Sequence, residues 1–433
     1  MCRYPAKYLL LLILIALTIP AGAQTSSVSD PLSAHVNLPY SRFGVGELWN
    51  GNNTLLKGMG NISSAYADPY AVNADNPASF GFLRLTTYEA GAQADLHTLT
   101  TNTANYTTGT ATLSYMNFAV PIGKHVGLCI GIRPYSNVFY NLQDTTYSDT
   151  LIGKEVIRNF TGGGSVNYAY IGGAYQYKGF SIGATFGYMF GSINNASRLL
   201  NQDTTKSYNA TFIQSTHIGG IYWKGGAIYQ GTYKKDYTYR IGGTVTLQQD
   251  LNATRNEYWI GTYNLVDTFI ADTSYAAHEL RGKITLPMTY SFGVQFAKTH
   301  QWMIGVDYTA TQWNQFRNLG SVDSVASTSY RVSLGGEVTP NSTALNNYFS
   351  RITYRLGFYY GTNYVYLRNT TLANYGLTFG GSLPFKRTSD RIHLAFDIGK
   401  LGTTDNNLIK DTYIKFSAGI SLNALWFVKR KYE

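Results

Sequence analysis

The sequence has little cysteine, little charge and no second long apolar run after its first residues. Cys129 is one of only two cysteines, and Cys2 lies in an N-terminal leader, so no intramolecular disulfide is expected in the mature chain. Charged residues make up 13% of the chain, and because the basic ones are scattered, the net charge of +10 does not indicate a nucleic-acid interface. After residue 23 no stretch of about eighteen apolar residues occurs, so helical membrane spans are not expected.

The residue patterns that enzymes need are also missing. The seven histidines show no metal-ligand spacing and have no cysteine partner. A Gly-x-Ser-x-Gly motif is absent, and glycine runs such as residues 162–164 lack the strand-to-helix context of a phosphate loop. We therefore expect a protein that is not an enzyme and that uses no cofactor or metal.

The N-terminus has the pattern of a secretory signal peptide. Arg3 and Lys7 precede an apolar run over residues 8–19, and Ala21-Gly22-Ala23 offers small residues for cleavage. The residue after the cleavage point is Gln24, not cysteine, which argues against a lipid anchor. This pattern predicts Sec export with a signal peptide at residues 1–23.

The most prominent feature of the remaining chain is strict alternation of apolar and polar residues. It is clearest in Thr285 to Lys298, where every second residue from Leu286 to Phe296 is apolar. Because no helical segments could cover these apolar faces, lipid is their simplest cover, and a closed barrel pairs all its backbone groups between strands. We predict an all-β fold, a transmembrane antiparallel β-barrel of about 14 strands. The predicted strands are 84–98, 107–121, 125–139, 163–177, 179–193, 213–233, 237–250, 281–298, 301–314, 328–338, 350–362, 370–384, 390–400 and 410–423.

The connections and the inward faces complete this picture. Short connections such as residues 123–124 alternate with longer polar ones at 144–162 and 251–280, which predicts tight periplasmic turns and long external loops. The faces opposite the apolar ones carry small residues and isolated charges, which we expect to pair with one another or with the N-terminal segment, or else to guide a substrate. These charges are Glu89, Asp95, Arg133, Arg240, Asp307, Arg331, Glu337, Arg355, Asp397 and Lys415.

Residues 24–82 differ from the strands that follow. They show no sustained alternation, yet they are too rich in apolar residues for a solvated tail. We predict a hatch, or plug, at residues 24–82, inside the mouth of a barrel formed by residues 83–433. Its apolar residues are Leu38, Tyr40, Phe43, Trp49, Leu55, Leu56, Met59, Tyr66 and Tyr70.

Three short motifs of this segment carry a family resemblance. Gly58-Met59-Gly60, Ala65-Tyr66-Ala67-Asp68 and Asn76-Pro77-Ala78 lead directly into the first strand. This arrangement resembles the N-terminal hatch of the FadL-like long-chain fatty acid transporters, a family of fourteen-stranded outer-membrane barrels. Arg281-Gly282-Lys283 followed by Leu286-Pro287 is similar to that family as well. The ending after Trp426 resembles endings common among Bacteroidetes members of this family.

The resemblance implies an outer-membrane channel for fatty-acid-like or other hydrophobic small molecules, which diffuse passively past the hatch or sideways through a gap in the wall. The family's wall is interrupted at its third strand, where a proline, Pro134, stands beside Arg133 in this chain. Alternatively, Pro134 merely ends that strand near the external rim. An apolar ligand needs an apolar lining. The hatch offers Tyr40, Phe43, Phe80, Asn76 and Pro77 as ligand or gate residues, although ordinary packing would use them equally well.

Two other functions remain open. Some members of the family are partners of the type IX secretion machinery, where they dock cargo or cap a channel, and this chain could be such a partner. A continuous apolar tunnel would favour transport, whereas a lumen sealed by arginine–carboxylate pairs below exposed aromatic residues would favour docking. A nonspecific porin is a third possibility, but a hatch would obstruct an open pore.

Overall fold

The structure is a computed structural model. Its described residues are 37–49, 53–147, 155–201, 206–234, 236–265, 268–299, 301–344, 346–386 and 388–426, so the expected signal peptide and the last seven residues, 427–433, lie outside them. The described residues form a closed sheet of fourteen antiparallel strands, which confirms the fold that the alternation predicts.

The strands follow one another around the barrel in chain order. The first six are β1 (Thr86–Thr100), β2 (Asn105–Ile122), β3 (Val126–Tyr147), β4 (Glu155–Tyr177), β5 (Phe180–Asn201) and β6 (Lys206–Tyr233). Two strands have two segments each, namely β7 (Tyr237–Thr246 and Gln249–Leu265) and β8 (Thr268–Leu286 and Thr289–Lys298). The last six are β9 (Trp302–Thr311), β10 (Ser329–Val338), β11 (Thr353–Leu367), β12 (Thr370–Pro384), β13 (Arg391–Leu401) and β14 (Lys410–Ala424).

Pairing between the last strand and the first closes the barrel. β14 pairs with β1 from Lys410 opposite Thr100 to Ala424 opposite Thr86. Side chains on the outer face are apolar and exposed, as Ile182 and Ile304 illustrate, whereas alternate positions point inward and are polar or small. Among the described residues, no helix has both the length and the apolar character needed to cross a membrane.

The wall is much taller on one side than on the other. β6 has 28 residues, whereas β9 and β10 have 10 each, and about 9–11 residues suffice to cross a bilayer. The prediction of long external loops at 144–162 and 251–280 is wrong, because strands occupy most of both ranges. Outside the bilayer both faces of a strand can be polar, so alternation no longer marks it. We name this extension of β3–β8 the tall sheet, and the opposite end, with the turn at residues 123–125, the turn end.

Residues 53–83, which we name the inner segment, lie within the barrel. Asn53 begins a short helix, Thr54–Lys57, and its side chain accepts a hydrogen bond from the backbone N–H of Leu56 at 3.0 Å. A 3-10 helix, Pro77–Phe82, precedes β1. The segment is tightly packed, because its apolar side chains are buried, including Leu55, Leu56, Met59, Ile62 and Phe80.

Glycines on the inward face of the wall make room for the inner segment. A Cβ atom on Gly226 would overlap the Asn76 side chain, and one on Gly242 would overlap the carbonyl oxygen of Ser64. The wall can therefore approach the backbone of the inner segment only where it has no side chain. Glycines that contact the inner segment in this way include Gly127, Gly183, Gly226, Gly242, Gly335 and Gly357.

Candidate functional site

The ladder of backbone hydrogen bonds is interrupted between β2 and β3. These strands pair only from Ile122 opposite Val126 to Met116 opposite Ile132. Beyond that point β2 continues to pair with β1, and β3 continues to pair with β4 as far as Tyr147. Within the described residues, β2 and β3 therefore do not pair with each other from this point to the tall end. We name this feature the ladder break.

Pro134 lies two residues beyond Ile132, the last residue of β3 that pairs with β2. It has no N–H to donate, and the register of β3 against β4 shifts between Pro134 and Ser136, which marks a β-bulge. A bulge bends its strand, so these residues can turn β3 away from β2. The alternative that Pro134 ends the strand is wrong, because β3 continues to Tyr147.

Residues 37–49, which we name the edge segment, lie along the free edge of β3. Glu47 and Leu48 pair antiparallel with Asn137 and Ser136. The backbone N–H of Trp49 donates to the Tyr135 carbonyl at 2.8 Å, and that of Leu38 donates to the Phe139 carbonyl at 2.6 Å. The edge segment therefore supplies hydrogen-bond partners that β2 does not supply beyond the break.

An ion pair connects the break to the inner segment. Arg133 Nη1 lies 2.7 Å from Asp75 Oδ1, and Lys224 Nζ lies 3.7 Å from the same oxygen. Burial alone would raise the pKa of the Asp75 carboxyl, but the adjacent Arg133 and Lys224 outweigh burial and hold this pKa below its usual value. Asp75 therefore stays ionised and anchors the inner segment to two wall strands.

The candidate residues of the inner segment are packed and hydrogen-bonded. Phe80 is fully buried against Gly127 and Gly172. Asn76 is also fully buried; its Oδ1 accepts from the backbone N–H of Ala78 at 3.0 Å, which caps the 3-10 helix that starts at Pro77. These contacts provide a packing role for all three residues, and their part in binding or gating stays a prediction.

Tyr40 and Phe43 lie in the edge segment. The Tyr40 hydroxyl donates to the carbonyl of Ile409 at 2.6 Å and accepts from the backbone N–H of the same residue at 3.0 Å. The Phe43 carbonyl accepts from the Tyr364 hydroxyl at 2.9 Å, and the Phe43 side chain is half-buried. Tyr40 therefore fastens the edge segment to the connection before β14, and Phe43 fastens it to β11.

A cavity of about 200 Å³, the upper cavity, lies between the edge segment and the inner segment. The Tyr359 hydroxyl donates to Asp397 at 2.8 Å, and Lys415 Nζ lies 3.4 Å from Glu47. These contacts place charged and polar groups in its lining, beside apolar side chains such as Leu48 and Phe396. The lining residues include Glu47, Leu48, Trp49, Lys57, Arg331, Tyr359, Asp397, Tyr413 and Lys415.

Sequence reasoning missed Glu47 and Lys57 as lining residues. They are two of only three charged residues between Asn37 and Gly60, and that scarcity was the available signal. Lys57 is 6% exposed, and its Nζ donates to Gln93 and to Ser114 of the wall. A buried cation in a predicted hatch indicates a polar lumen around it.

A larger cavity of about 520 Å³, the turn-end cavity, lies on the other side of the inner segment. The inner segment contributes Tyr66 to Tyr70 to its lining, and the wall contributes several arginines. Inner-segment residues thus line both cavities, the upper one through Lys57 and Asn61.

Several of the inward charges pair with one another or with the N-terminal segments, as expected from the sequence, whereas Arg240 donates instead to the side chain of Gln230. Arg355 Nη2 lies 2.9 Å from Glu337 Oε2 in the wall. Asp307 accepts from the backbone N–H groups of Ser63 and Ser64 at 2.6 Å each. With the Arg133–Asp75 and Lys415–Glu47 contacts, these bonds hold both segments in the lumen.

Several solved structures share this fold over most of their length. The Pseudomonas putida toluene transporter TodX superposes with a TM-score of 0.57 at 16% identity, over 87% of this chain and 98% of that one. The Ralstonia pickettii toluene transporter TbuX gives a TM-score of 0.53 at 15% identity, over 86% and 98%. A Pseudomonas aeruginosa FadL homologue gives 0.53 at 11% identity, over 86% and 97%. At these identities the likeness establishes a shared fold.

The sequence comparisons assign the family. No curated protein matches the chain. The sequence model of one family, BamG, matches residues 6–433, which is nearly the full length. The chain belongs to the BamG family.

Proposed function

We propose that this protein is an outer-membrane channel through which hydrophobic, fatty-acid-like small molecules enter by passive diffusion. The observation that carries the proposal is the ladder break beside Pro134, where β2 and β3 stop pairing and the edge segment covers β3. A break in the wall gives an apolar molecule a route from the lumen into the bilayer core that avoids water. Two solved structures with this fold are described as toluene transporters, which supports the same class of cargo.

The edge segment acts as the gate in this proposal. Its two-residue pairing with Ser136 and Asn137 is short, and backbone hydrogen bonds from Leu38 and Trp49 flank it. Side-chain bonds add to this contact, since Ser136 donates to the Val45 carbonyl, Ser41 accepts from the Phe139 N–H and Asn37 bonds with Asn141. Release of these bonds would uncover the edge of β3 and open the side of the barrel. The tall sheet faces the exterior and the turn end faces the periplasm.

A disulfide between Leu48→Cys and Ser136→Cys tests this gate. The two residues are directly opposed in the antiparallel pair, which is compatible with the Cβ separation that a disulfide needs. We expect oxidised cells to lose uptake of radiolabelled oleate and toluene, and reduction to restore it. The matched control joins Thr98→Cys to Thr107→Cys, an opposed pair at the tall ends of β1 and β2, and should leave uptake unchanged.

Two results would oppose the proposal. Uptake by cells that produce the wild-type protein could equal uptake by cells that lack it, which would remove the transport function. Alternatively, the oxidised Leu48–Ser136 lock could transport at the wild-type rate, which would leave a channel but exclude the edge segment as its gate.

A second candidate function is docking to an outer-membrane secretion system, such as the type IX machinery. The specific observation is a row of aromatic side chains across the tall sheet. Phe212, Trp259 and Tyr275 occupy opposed positions on β6, β7 and β8, and the Phe212 and Trp259 ring centroids are 4.8 Å apart. Trp259 and Tyr275 are 51% and 50% exposed, and exposed aromatic residues are common anchors of protein interfaces.

The charged and polar groups of the upper cavity and the ion pairs of the lumen also favour docking over a continuous apolar tunnel. Extraction of the native complex in mild detergent, followed by mass spectrometry, separates the two functions. A bound apolar compound at near one per barrel supports transport. A secretion-channel subunit that is lost from the double variant Trp259→Ala, Tyr275→Ala supports docking.

A further inference from the structure

The turn-end cavity has a strong excess of positive charge. Its lining contains Arg240, Lys298, Arg351, Arg355 and Arg391, but only two carboxylates, Asp68 and Glu337. The excess of three positive charges lies in a space of about 520 Å³ that low-dielectric protein walls line. Such walls focus the electrostatic field of the charges into the cavity.

Within the part of the chain that the structure describes, one of the five cations, Arg355, has an ion-pair partner. Glu337 is paired with Arg355 at 2.9 Å. Arg240 donates to the side-chain oxygen of Gln230 at 2.7 Å, and Arg351 donates to the carbonyl of Phe385 at 3.3 Å. Arg391 lies over the ring of Tyr70, with its guanidinium carbon 5.9 Å from the ring centroid.

These side chains have neutral groups as their nearest partners, and Arg240 interacts with the carboxylates Asp68 and Glu337 only at longer range. Among the described residues, Arg240, Lys298, Arg351 and Arg391 form no ion pair with a carboxylate, in contrast to Arg355 in the same cavity and to Arg133 and Lys415 elsewhere in the lumen. All four are half-buried, so water screens them less than it screens a surface lysine or arginine. A structural role alone does not account for several unpaired cations around one cavity.

We propose that the turn-end cavity is a binding site for a ligand that carries two or more anionic groups, either carboxylates or phosphates. Planar guanidinium groups bind both anions through paired N–H donors, and the cavity has the volume of a small-molecule site. The arginines come from β7, β13 and the connection before β11, so a ligand with several anionic groups can contact more than one of them. A fatty acid carries a single carboxylate and toluene carries no charge, so the proposed ligand, with two or more anionic groups, is distinct from the hydrophobic cargo.

Two sources could supply this chemistry, a dissolved small polyanion or the acidic segment of a protein on that side of the membrane. Isothermal titration calorimetry of the full-length protein in a neutral detergent tests both sources, with citrate, pyrophosphate and a hexaglutamate peptide as probes. We expect saturable binding at low ionic strength that weakens as salt is added. Tighter binding of the peptide identifies a protein source, and tighter binding of citrate or pyrophosphate identifies a small ligand.

Two variants locate the site. We expect Arg351→Gln and Arg391→Gln each to weaken binding roughly fivefold, the loss of about one ion pair. Arg351 lies in a connection, so its removal leaves the strand ladder intact if Arg391→Gln disturbs folding. The control is Arg368→Gln at the tall end, which should bind as the wild type does. Absence of saturable binding for all three probes would overturn the proposal, and so would equal losses in all three variants.

Discussion

Arg133 Nη1 and Asp75 Oδ1 are 2.7 Å apart, so an ion pair ties the strand that leaves the ladder break to the inner segment. Arg133 directly follows Ile132, the last residue of β3 that pairs with β2, and precedes the bulge at Pro134. The pair therefore fixes β3 at the point where the wall opens. The ion pair is thus a direct contact between the inner segment and the bend in β3.

Replacement of Arg133 should loosen the inner segment. In Arg133→Ala, Asp75 keeps only Lys224 at 3.7 Å, in a site where the two paired side chains are 12% and 21% exposed. Loss of one partner from a fully buried pair costs about 3–5 kcal/mol, and for this partly exposed pair we expect about 2 kcal/mol. The free energy of unfolding, measured by denaturant titration in lipid vesicles, gives this difference directly.

The matched control is Arg281→Ala. Arg281 pairs with Glu279 at 3.1 Å, but their side chains are 81% and 68% exposed. Such surface pairs contribute about 0–1 kcal/mol. If both variants lost the same free energy of unfolding, the Arg133–Asp75 pair would stabilise the protein no more than a surface ion pair does.

Acid should remove the contribution of this pair. Arg133 and Lys224 lower the pKa of Asp75 in the folded protein although burial opposes them, so the folded state binds the proton less readily than the unfolded state. The stabilisation is complete above the unfolded pKa of about 3.9 and is lost as pH falls through the lower folded value. We therefore expect the stability difference between wild type and Arg133→Ala to be constant near neutral pH and to shrink below about pH 4. The prediction would be contradicted if the stability difference between wild type and Arg133→Ala stayed constant as pH falls to the pKa of Asp75 in the folded protein.

Lys57 should make the stability of the protein depend on pH in the neutral and alkaline range instead of the acid range. Burial lowers the pKa of Lys57 from its ordinary 10.5 to about 7. Between these two values the unfolded chain binds a proton that the folded protein lacks, so stability should rise with pH over this interval. Lys57→Met should flatten the rise, as measured by the midpoint of thermal unfolding at several pH values. The exposed Lys124→Met is the control and should retain the wild-type slope.

The sequence predicts the strands well where lipid covers one face. The predicted strands 301–314, 370–384 and 410–423 agree closely with β9, β12 and β14, because apolar residues alternate along most of each strand. The sequence predicts a loop over residues 251–265, where the structure has the second segment of β7. Alternation does not mark this part of the strand, because outside the bilayer neither face needs to be apolar. The number of strands therefore follows from the sequence, and the height of the wall does not.

The candidate site was predictable only in part, for a similar reason. A proline within a predicted strand marks Pro134 as irregular, and the structure places it beside the ladder break; its role as a gate stays a prediction. The edge segment could not be foreseen as the neighbour of β3, because a two-residue pairing such as Glu47–Leu48 has no periodicity to detect. The partners of Asp75 likewise depend on contacts between residues far apart in sequence.

Two neighbouring glycines of the wall, Gly225 and Gly226, provide a test of how tightly the inner segment packs, and one of them is the control. Gly226 faces the inner segment, where a Cβ atom would lie 2.1 Å from Asn76 Oδ1, whereas a Cβ on its neighbour Gly225 would have open space with Val245 no closer than 3.9 Å. Gly226→Ala should therefore cost about 1–3 kcal/mol of unfolding free energy through overpacking, and Gly225→Ala should be nearly neutral. Denaturant titration in vesicles measures both. The contrary outcome is that Gly226→Ala is as stable as Gly225→Ala and that protease cleaves residues 53–83 faster in Gly226→Ala than in the wild type. The inner segment would then leave the barrel readily, and the packed arrangement of Asn76 would not describe the resting protein.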